Sequence, residues 1–352
     1  MNKQIKVAFN CSSVNEYLID PVLPCSHIPK AGDVGIFKVL SEKGRLMTPG
    51  KFECSIFEGD YIMAAFGSRY ATNQVEGYVP KQPVDTCHLL SRGGLAGELK
   101  SINTQMRLPP VELQLVGYAL NPESGEVINT VQEDKLHVFD PFLMKSKVIL
   151  SIGTSMDSGK TTSAAYLCGG LHRQGFTVAY MKLTGTAYPK DAQLNADLGA
   201  DYVCDFSDLG FPSTFGSKKS VILDLFQTLH DRAYEAVQPE YLVVEIADGL
   251  LQQETYQLLS DERFMQAVSG VLFNAGDSLG VMAGLEVLKK LNIVPFAVAG
   301  LFTASELLID EMQHVCKAPV LRLSDLLSAA FLPLLERMMG KNEVIPLLAR
   351  RA

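Results

Sequence analysis

The stretch Gly153-Thr154-Ser155-Met156-Asp157-Ser158-Gly159-Lys160-Thr161-Thr162 holds residue types that handle phosphate. Backbone N–H groups that wrap an oxyanion need glycine where a side chain would block the approach, and a helix that starts there adds its positive dipole end. A lysine must also reach the β- and γ-phosphates, and a Ser or Thr hydroxyl must meet magnesium. Gly159 permits the approach, Lys160 is the phosphate lysine, and Thr161 is the magnesium hydroxyl with Thr162 beside it. Gly153, Thr154, Asp157 and Ser158 complete the loop. Five residues separate Gly153 from Gly159, one more than in the common G-x-x-x-x-G-K-[ST] pattern. The competing reading is a chance Gly-Lys-Thr on a surface turn. The context argues against it: an apolar run, VILSI, precedes the loop, and an alanine-rich helical stretch follows.

Carboxylates supply the second half of such chemistry. Glu245 follows the apolar run Tyr241-Leu242-Val243-Val244, and a charge ending a buried strand is costly unless paired or bound to metal. A magnesium or water-orienting role is therefore preferred over a plain strand-end charge. Asp191 reads equally as a magnesium ligand or a helix cap, and Asp248 as a substrate contact, a water-positioning group or a cap of the following turn. Asn274, with Asp277 three residues on, reads as a base contact or as turn chemistry. The turn-rich stretch 204–217 is either a γ-phosphate-sensing loop or an exposed connection. Thr303 and Ser305 either cap a helix or line the ligand crevice. Arg69, Arg92 and the glycines 93, 94 and 97 read as structural, and the six histidines show no metal spacing.

The loop Gly-Thr-x-x-x-x-Gly-Lys-Thr resembles that of dethiobiotin synthetase and its P-loop relatives of the SIMIBI class. These relatives include cobalamin-pathway amide ligases and the protein B of molybdopterin-guanine dinucleotide biosynthesis. The resemblance implies that Lys182, Thr184 and Thr186 form a substrate-side cluster, and that Asp191 and Glu245 hold magnesium with Thr161. It also implies adenine contact through Asn274, hence ATP with GTP as the competing base, and a homodimer. Departures are Ser155 in place of aspartate, Ile246-Ala247-Asp248-Gly249 in place of a glycine-rich turn, and a long β-rich leader.

The elements that must position these residues follow from pattern. From about residue 146, apolar strands alternate with helical periods: strands at 147–152, 177–183, 241–246, 269–274 and 295–301, and helices at 160–174, 218–237, 278–291, 304–316 and 323–339. This order predicts a mostly parallel sheet covered on both faces. Residues 1–140 carry short Val/Ile/Phe/Tyr-rich runs punctuated by Gly, Pro and Asn, including a hairpin at 119–128. That grammar predicts a small barrel or sandwich. The expected domains are therefore 1–140, β-rich, and 141–352, an α/β P-loop domain.

The chain has 352 residues, a net charge of −8 and 47% hydrophobic residues. An acidic balance argues against nucleic acid or an anionic membrane as partner. Cysteines 11, 25, 54, 87, 168, 204 and 316 are scattered without a C-x-x-C spacing, which points to a reducing cytoplasm rather than a disulfide framework. The chain opens without a signal-peptide apolar core, and no run approaches the roughly 20 apolar residues of a membrane helix. The combined expectation is an enzyme that uses magnesium and ATP to phosphorylate or activate a small molecule, with Lys160, Lys182 and Glu245 as its catalytic groups. The alternative is a nucleotide-gated switch that meets a protein partner through the N-terminal domain.

Overall fold

The computed structural model describes residues 5–22 and 26–342; Cys25 lies outside them. The chain divides into two compact units. The first holds residues 1–137 together with 184–190 and 205–225. The second holds 138–183, 191–204 and 226–352. The division therefore departs from a single cut near 140, because two later segments belong to the N-terminal unit.

In the first unit the strands are β1 (Lys6–Val7), β2 (Leu18–Asp20), β3 (Val34–Val39), β4 (Lys43–Met47), β5 (Glu53–Phe57), β6 (Tyr61–Phe66), β7 (Arg69–Tyr70), β8 (Val75–Tyr78), β9 (Thr86–Ser91), β10 (Leu95–Ile102) and β11 (Val111–Leu120). The path β6-β3-β11-β9-β10 closes on itself through a parallel β10–β6 pairing. Closure makes this a five-stranded barrel, which removes open edges among those strands. The alternating pattern of β11 places Val111, Leu113 and Leu115 inward with Phe37, Phe66 and Ala96. β4 and β5 form a separate antiparallel hairpin. Asn121 N donates to Glu126 O, so the turn expected within 119–128 is present.

The second unit is built on β12 (Lys147–Gly153), β13 (Val178–Lys182), β14 (Tyr202–Asp205), β15 (Tyr241–Glu245), β16 (Val268–Asn274) and β17 (Ala297–Ala299). Their order is β14-β13-β15-β12-β16-β17, and β13, β15, β12, β16 and β17 pair in parallel. β13 and β15 are buried along their whole length, which is why they read as unbroken apolar runs. The helices are α1 (Lys160–Arg173), α2 (Lys190–Leu198), α3 (Lys219–Val237), α4 (Gln253–Leu259), α5 (Glu262–Gln266), α6 (Ser278–Lys290), α7 (Glu306–Val315), α8 (Leu323–Leu327) and α9 (Leu332–Asn342). Among the described residues, no helix is long and apolar enough to cross a membrane.

The pattern reading leaves out the short helices α2, α4 and α5, and it differs in further details. The last strand shrinks to Ala297–Ala299, because Gly300 at φ +106 turns the chain into a short 3-10 segment. The helix expected at 323–339 breaks into α8 and α9 around Ala329, whose φ is +58. That break lets α8 lie against α1: a Cβ on Gly170 would stand 1.9 Å from Leu326 O. The strand β14 is too short to show a period, with only Tyr202-Val203-Cys204 before Asp205.

Candidate functional site

β12 lies at the centre of the sheet, and its C-terminal end runs into the loop 153–159 and then α1. The loop is shaped by close contacts. A Cβ on Gly153 would stand 2.2 Å from Ser158 Oγ, so the loop folds back tightly on its first residue. Gly159 caps α1 at φ +95, and a Cβ there would meet Gly300 Cα and Leu301 N at 3.0 Å. Leu301 N donates to Ser158 O at 3.0 Å, and Thr154 N donates to Asn274 O at 2.9 Å. On the other side, a Cβ on Gly249 would lie 2.2 Å from Thr154 O. Two neighbouring loops thus brace the 153–159 loop, each through a glycine that its sequence motif alone does not flag.

Within this frame the N–H groups of Ser158, Gly159, Lys160 and Thr161 meet no protein acceptor among the described residues. Lys160 is buried, and its ammonium donates to Ser155 O at 2.7 Å and Ser158 Oγ at 3.4 Å, both uncharged oxygens. Burial pushes its pKa down, while the carboxylates of Glu245 and Asp248 pull the other way. Ser155 and Asp157 are exposed, Asp157 holds φ +63, and Thr154, Thr161 and Thr162 are half-buried.

Parallel register assembles the rest. Lys182 of β13, Glu245 of β15 and Ser151 of β12 stand in one row across three neighbouring strands. In-register residues of adjacent strands share a face, so the three side chains converge at the C-terminal edge of the sheet. Ser151 Oγ donates to Lys160 O at 3.0 Å. Thr161 Oγ1 donates to Glu245 Oε1 at 2.9 Å, and Tyr180 Oη donates to Glu245 Oε2 at 2.6 Å. Tyr180 lies two residues before Lys182, on the same strand face; a search for this period-2 partner is what would have found it in the sequence.

Lys182 forms a hydrogen-bonded ion pair with Asp191, in the first turn of α2. Asp191 thus serves as the counter-ion of Lys182, whose strand neighbour in register is Glu245. Thr184 and Thr186, expected beside Lys182, belong to the N-terminal unit, where Thr186 bridges to Ser213. Asn274 is fully buried, and its amide donates to Ile152 O at 2.9 Å and Ser151 Oγ at 3.1 Å. It ties β16 to β12 instead of presenting an amide to a base, because its side chain points into the sheet's packed face. The 204–217 stretch is internally bonded: Asp205 and Asp208 form a capping box, and Gly185 N donates to Thr214 Oγ1 at 2.8 Å. Gln252 caps α4, and Asp277 caps α6 through Gly280 N. Thr303 Oγ1 donates to Gly300 O at 2.9 Å, which makes it a brace of the second loop rather than a cap.

A hydroxyl and a carboxylate 2.9 Å apart form a hard-oxygen donor pair, the kind magnesium prefers. Both oxygens of Glu245 face hydroxyl donors rather than a paired cation. Among the described residues no group of three or more His, Cys, Asp or Glu could hold a metal. Few protein ligands suit magnesium, which usually keeps waters and takes its other ligands from phosphate. Thr161 and Glu245 therefore fit the ion.

No family model matches this chain, and no curated protein matches it. Solved structures similar to it include the hydrogenase maturation factor HypB from Archaeoglobus fulgidus, at 10% identity and a TM-score of 0.37, covering 56% of this chain and 91% of that one. HypB from Helicobacter pylori, in complex with nickel, is similar at 17% identity and a TM-score of 0.37, covering 57% of this chain and 90% of that one. A nucleotide-binding protein from Archaeoglobus fulgidus, in complex with ADP, is similar at 12% identity and a TM-score of 0.32, covering 58% and 94%.

Proposed function

We propose that this chain binds a nucleoside triphosphate with magnesium and hydrolyses it or transfers its terminal phosphoryl group to a small molecule, in the manner of a kinase or an ATP-dependent ligase. The observation that carries the reading is the loop at the start of α1. There, N–H groups of Ser158 to Thr161 without a protein acceptor surround a buried lysine bonded only to neutral oxygens. A buried ammonium whose hydrogen bonds go only to neutral oxygens is costly, and a phosphate chain held by that lysine and those donors relieves the cost. Magnesium, held through Thr161 and Glu245, would supply charge neutralisation at the phosphates. Lys160 holds and neutralises the transferring group. Lys182, once released from Asp191, is the cation for an anionic substrate. Asp191 then acts by governing that release, which takes the place of a direct metal role. The nucleotide is ATP in this reading, with GTP as the competitor, and the dethiobiotin-synthetase-like loop spacing is its support.

The reading includes a homodimer, supported by Leu251, Leu279, Leu301 and Leu307, large apolar side chains exposed on the loops and helix starts that follow β15, β16 and β17. It also includes a reducing, cytoplasmic setting, supported by the scattered cysteines, and neither nucleic acid nor membrane as partner, supported by the acidic balance. A second reading, a nucleotide-gated switch with a protein partner on the barrel unit, draws on one observation. The segments leaving the ends of β13 and β14 belong to that unit.

The test is phosphate release from Mg-ATP and Mg-GTP by the purified protein, alone and with a small-molecule cell extract, beside Lys160→Ala. Turnover that needs the extract and vanishes in the variant is the expected result. Turnover indifferent to extract favours the switch, and nucleotide that neither binds nor turns over sinks both.

A further inference from the structure

We infer that Tyr180 is a positioning residue for the cation site: its phenol locks one oxygen of Glu245 so that the other alone faces Thr161 and the metal. The inference rests on the nucleotide reading above and adds to it a residue that the loop motif does not include.

Tyr180 lies in the middle of β13 and is fully buried, in the apolar cluster with Ile149, Leu167, Cys168 and Val243. A buried phenol normally finds an acceptor, and this one finds Glu245 Oε2 at 2.6 Å, a short bond of the charge-assisted kind. Glu245 is itself almost wholly buried at the end of β15, and its remaining oxygen accepts from Thr161 Oγ1. The carboxylate is thus held on one side by the phenol of the sheet core and faces the first turn of α1 on the other. The geometry fixes the side chain's torsion and leaves one oxygen for a cation, so the site favours one-oxygen coordination by this carboxylate. Partners that orient a metal-binding carboxylate in this way govern affinity without touching the metal.

The phenol could instead be only a satisfied core hydroxyl. Tyr180→Phe separates the two roles, since it removes a single oxygen and keeps the ring in its packing. The experiment measures binding of a fluorescent ATP analogue in excess EDTA, then titrates magnesium to half-maximal phosphate release. Wild type, Tyr180→Phe, Glu245→Gln and the double variant are compared, each checked for its melting temperature. The expected result for Tyr180→Phe is nucleotide affinity in EDTA equal to wild type, with the magnesium midpoint raised about tenfold. In the Glu245→Gln background the same substitution should leave the midpoint unmoved, because its effect runs through that carboxylate. An unchanged midpoint in a Tyr180→Phe protein that binds nucleotide overturns the role of Tyr180 and leaves the nucleotide reading standing. An equal shift in both backgrounds also overturns it. Wild type that binds no nucleotide overturns the reading and this inference together. If Tyr180→Phe melts early, Tyr180→Met serves as the second variant. A raised midpoint in it again supports the role, and an unchanged one overturns it.

Discussion

Lys160 follows Gly159 in the sheet unit, and Arg92 precedes Gly93 and Gly94 in the barrel unit. Both are cations on glycine-containing turns, and both turns have a glycine at positive φ, +95 at Gly159 and +99 at Gly94. Their surroundings differ. Arg92 is exposed and meets Glu53 at 3.2 Å, a carboxylate that also accepts from Tyr188 and lies near Arg45 and Lys190. The glycines beside it make room for the protein's own chain: a Cβ on Gly93 would strike Ala187 O at 2.3 Å, and one on Gly94 would strike Ala8 Cβ at 2.1 Å. Lys160 is buried, meets only neutral oxygens, and sits among loop N–H groups without protein acceptors. A glycine turn whose space and charge are already used by the fold is structural. One that leaves donors and a buried cation facing neutral oxygens is built for something else.

The largest effect that would break this comparison comes from the two carboxylates. Glu245→Gln should lower magnesium-dependent phosphate release by about a hundredfold. Glu53→Gln should leave the same rate within about twofold, as a substitution away from the chemistry usually does. Equal losses in the two variants would mean that the barrel-unit turn also belongs to the reacting site.

Alkaline pH tests the buried cation. Burial lowers the pKa of Lys160 below the ordinary 10.5, so in the free protein its charge is lost at a lower pH than that of an exposed lysine. Phosphate binds the charged form, so nucleotide affinity should fall as pH rises through that depressed pKa, by up to about tenfold per pH unit. The sign for stability is opposite. The unfolded chain holds the proton more tightly, so between the folded and unfolded pKa values this lysine's contribution to stability rises with pH. Isothermal titration of nucleotide from pH 7 to 10, beside Lys160→Arg, checks the affinity, and urea unfolding over the same range checks the stability; the arginine variant keeps its charge, and its affinity should stay flat. A wild-type profile as flat as the variant's would show that the lysine's charge plays no part.

Much of the sheet unit was legible because its signals are local. An apolar run, a glycine, a Lys-Thr pair and an alanine-rich helix occur in one stretch, and register carries Ser151 and Glu245 into place beside them. What the chain concealed depends on distance along it. Gly249 and Gly300 brace the loop from about 90 and 140 residues away, and their contacts with Thr154 and Ser158 have no sequence period. Asn274 reads as a base contact only through the family resemblance, and its own side chain bonds to Ser151 and Ile152 of β12 instead. Likewise 184–190 and 205–217 read as connections of the α/β half, while the structure counts them with the barrel unit. Tyr188 reaches Glu53, and Phe215 packs against Tyr70 and Tyr78.

The glycines themselves give a smaller effect. Gly216 holds φ +85 with open space around its missing Cβ, so Gly216→Ala should cost only backbone strain, about 1–2 kcal/mol in urea unfolding. Gly159→Ala meets the same strain and adds contacts of 3.0 Å with Gly300 and Leu301, so it should cost more stability and also weaken nucleotide binding. If alanine at 159 bound nucleotide as well as wild type, close backbone approach would not be what that glycine provides.

The smallest effect concerns the turn assigned a structural role. The hydroxyl of Tyr188, followed by the charge and hydrogen bond of Arg92 and the charge of Lys190, holds the Glu53 carboxyl below its ordinary 4.5. A depressed carboxyl pKa means that the unfolded chain takes up the proton first on acidification, so the contribution is present above the unfolded pKa and lost as pH falls through the folded one. The cationic partners are more than half exposed, so solvent screens them, and the whole contribution should stay within about 1 kcal/mol. Urea unfolding at pH 7 should show wild type slightly more stable than Glu53→Gln, and the gap should close at pH 3. Salt should narrow it at pH 7 as well, because the pairs lie at the surface. A gap of several kcal/mol that survives acid and salt would mean that Glu53 is held by burial and geometry rather than by its cations. The contrast with Glu245, whose partners are two hydroxyls in the sheet unit's interior, would then no longer separate a structural carboxylate from a functional one.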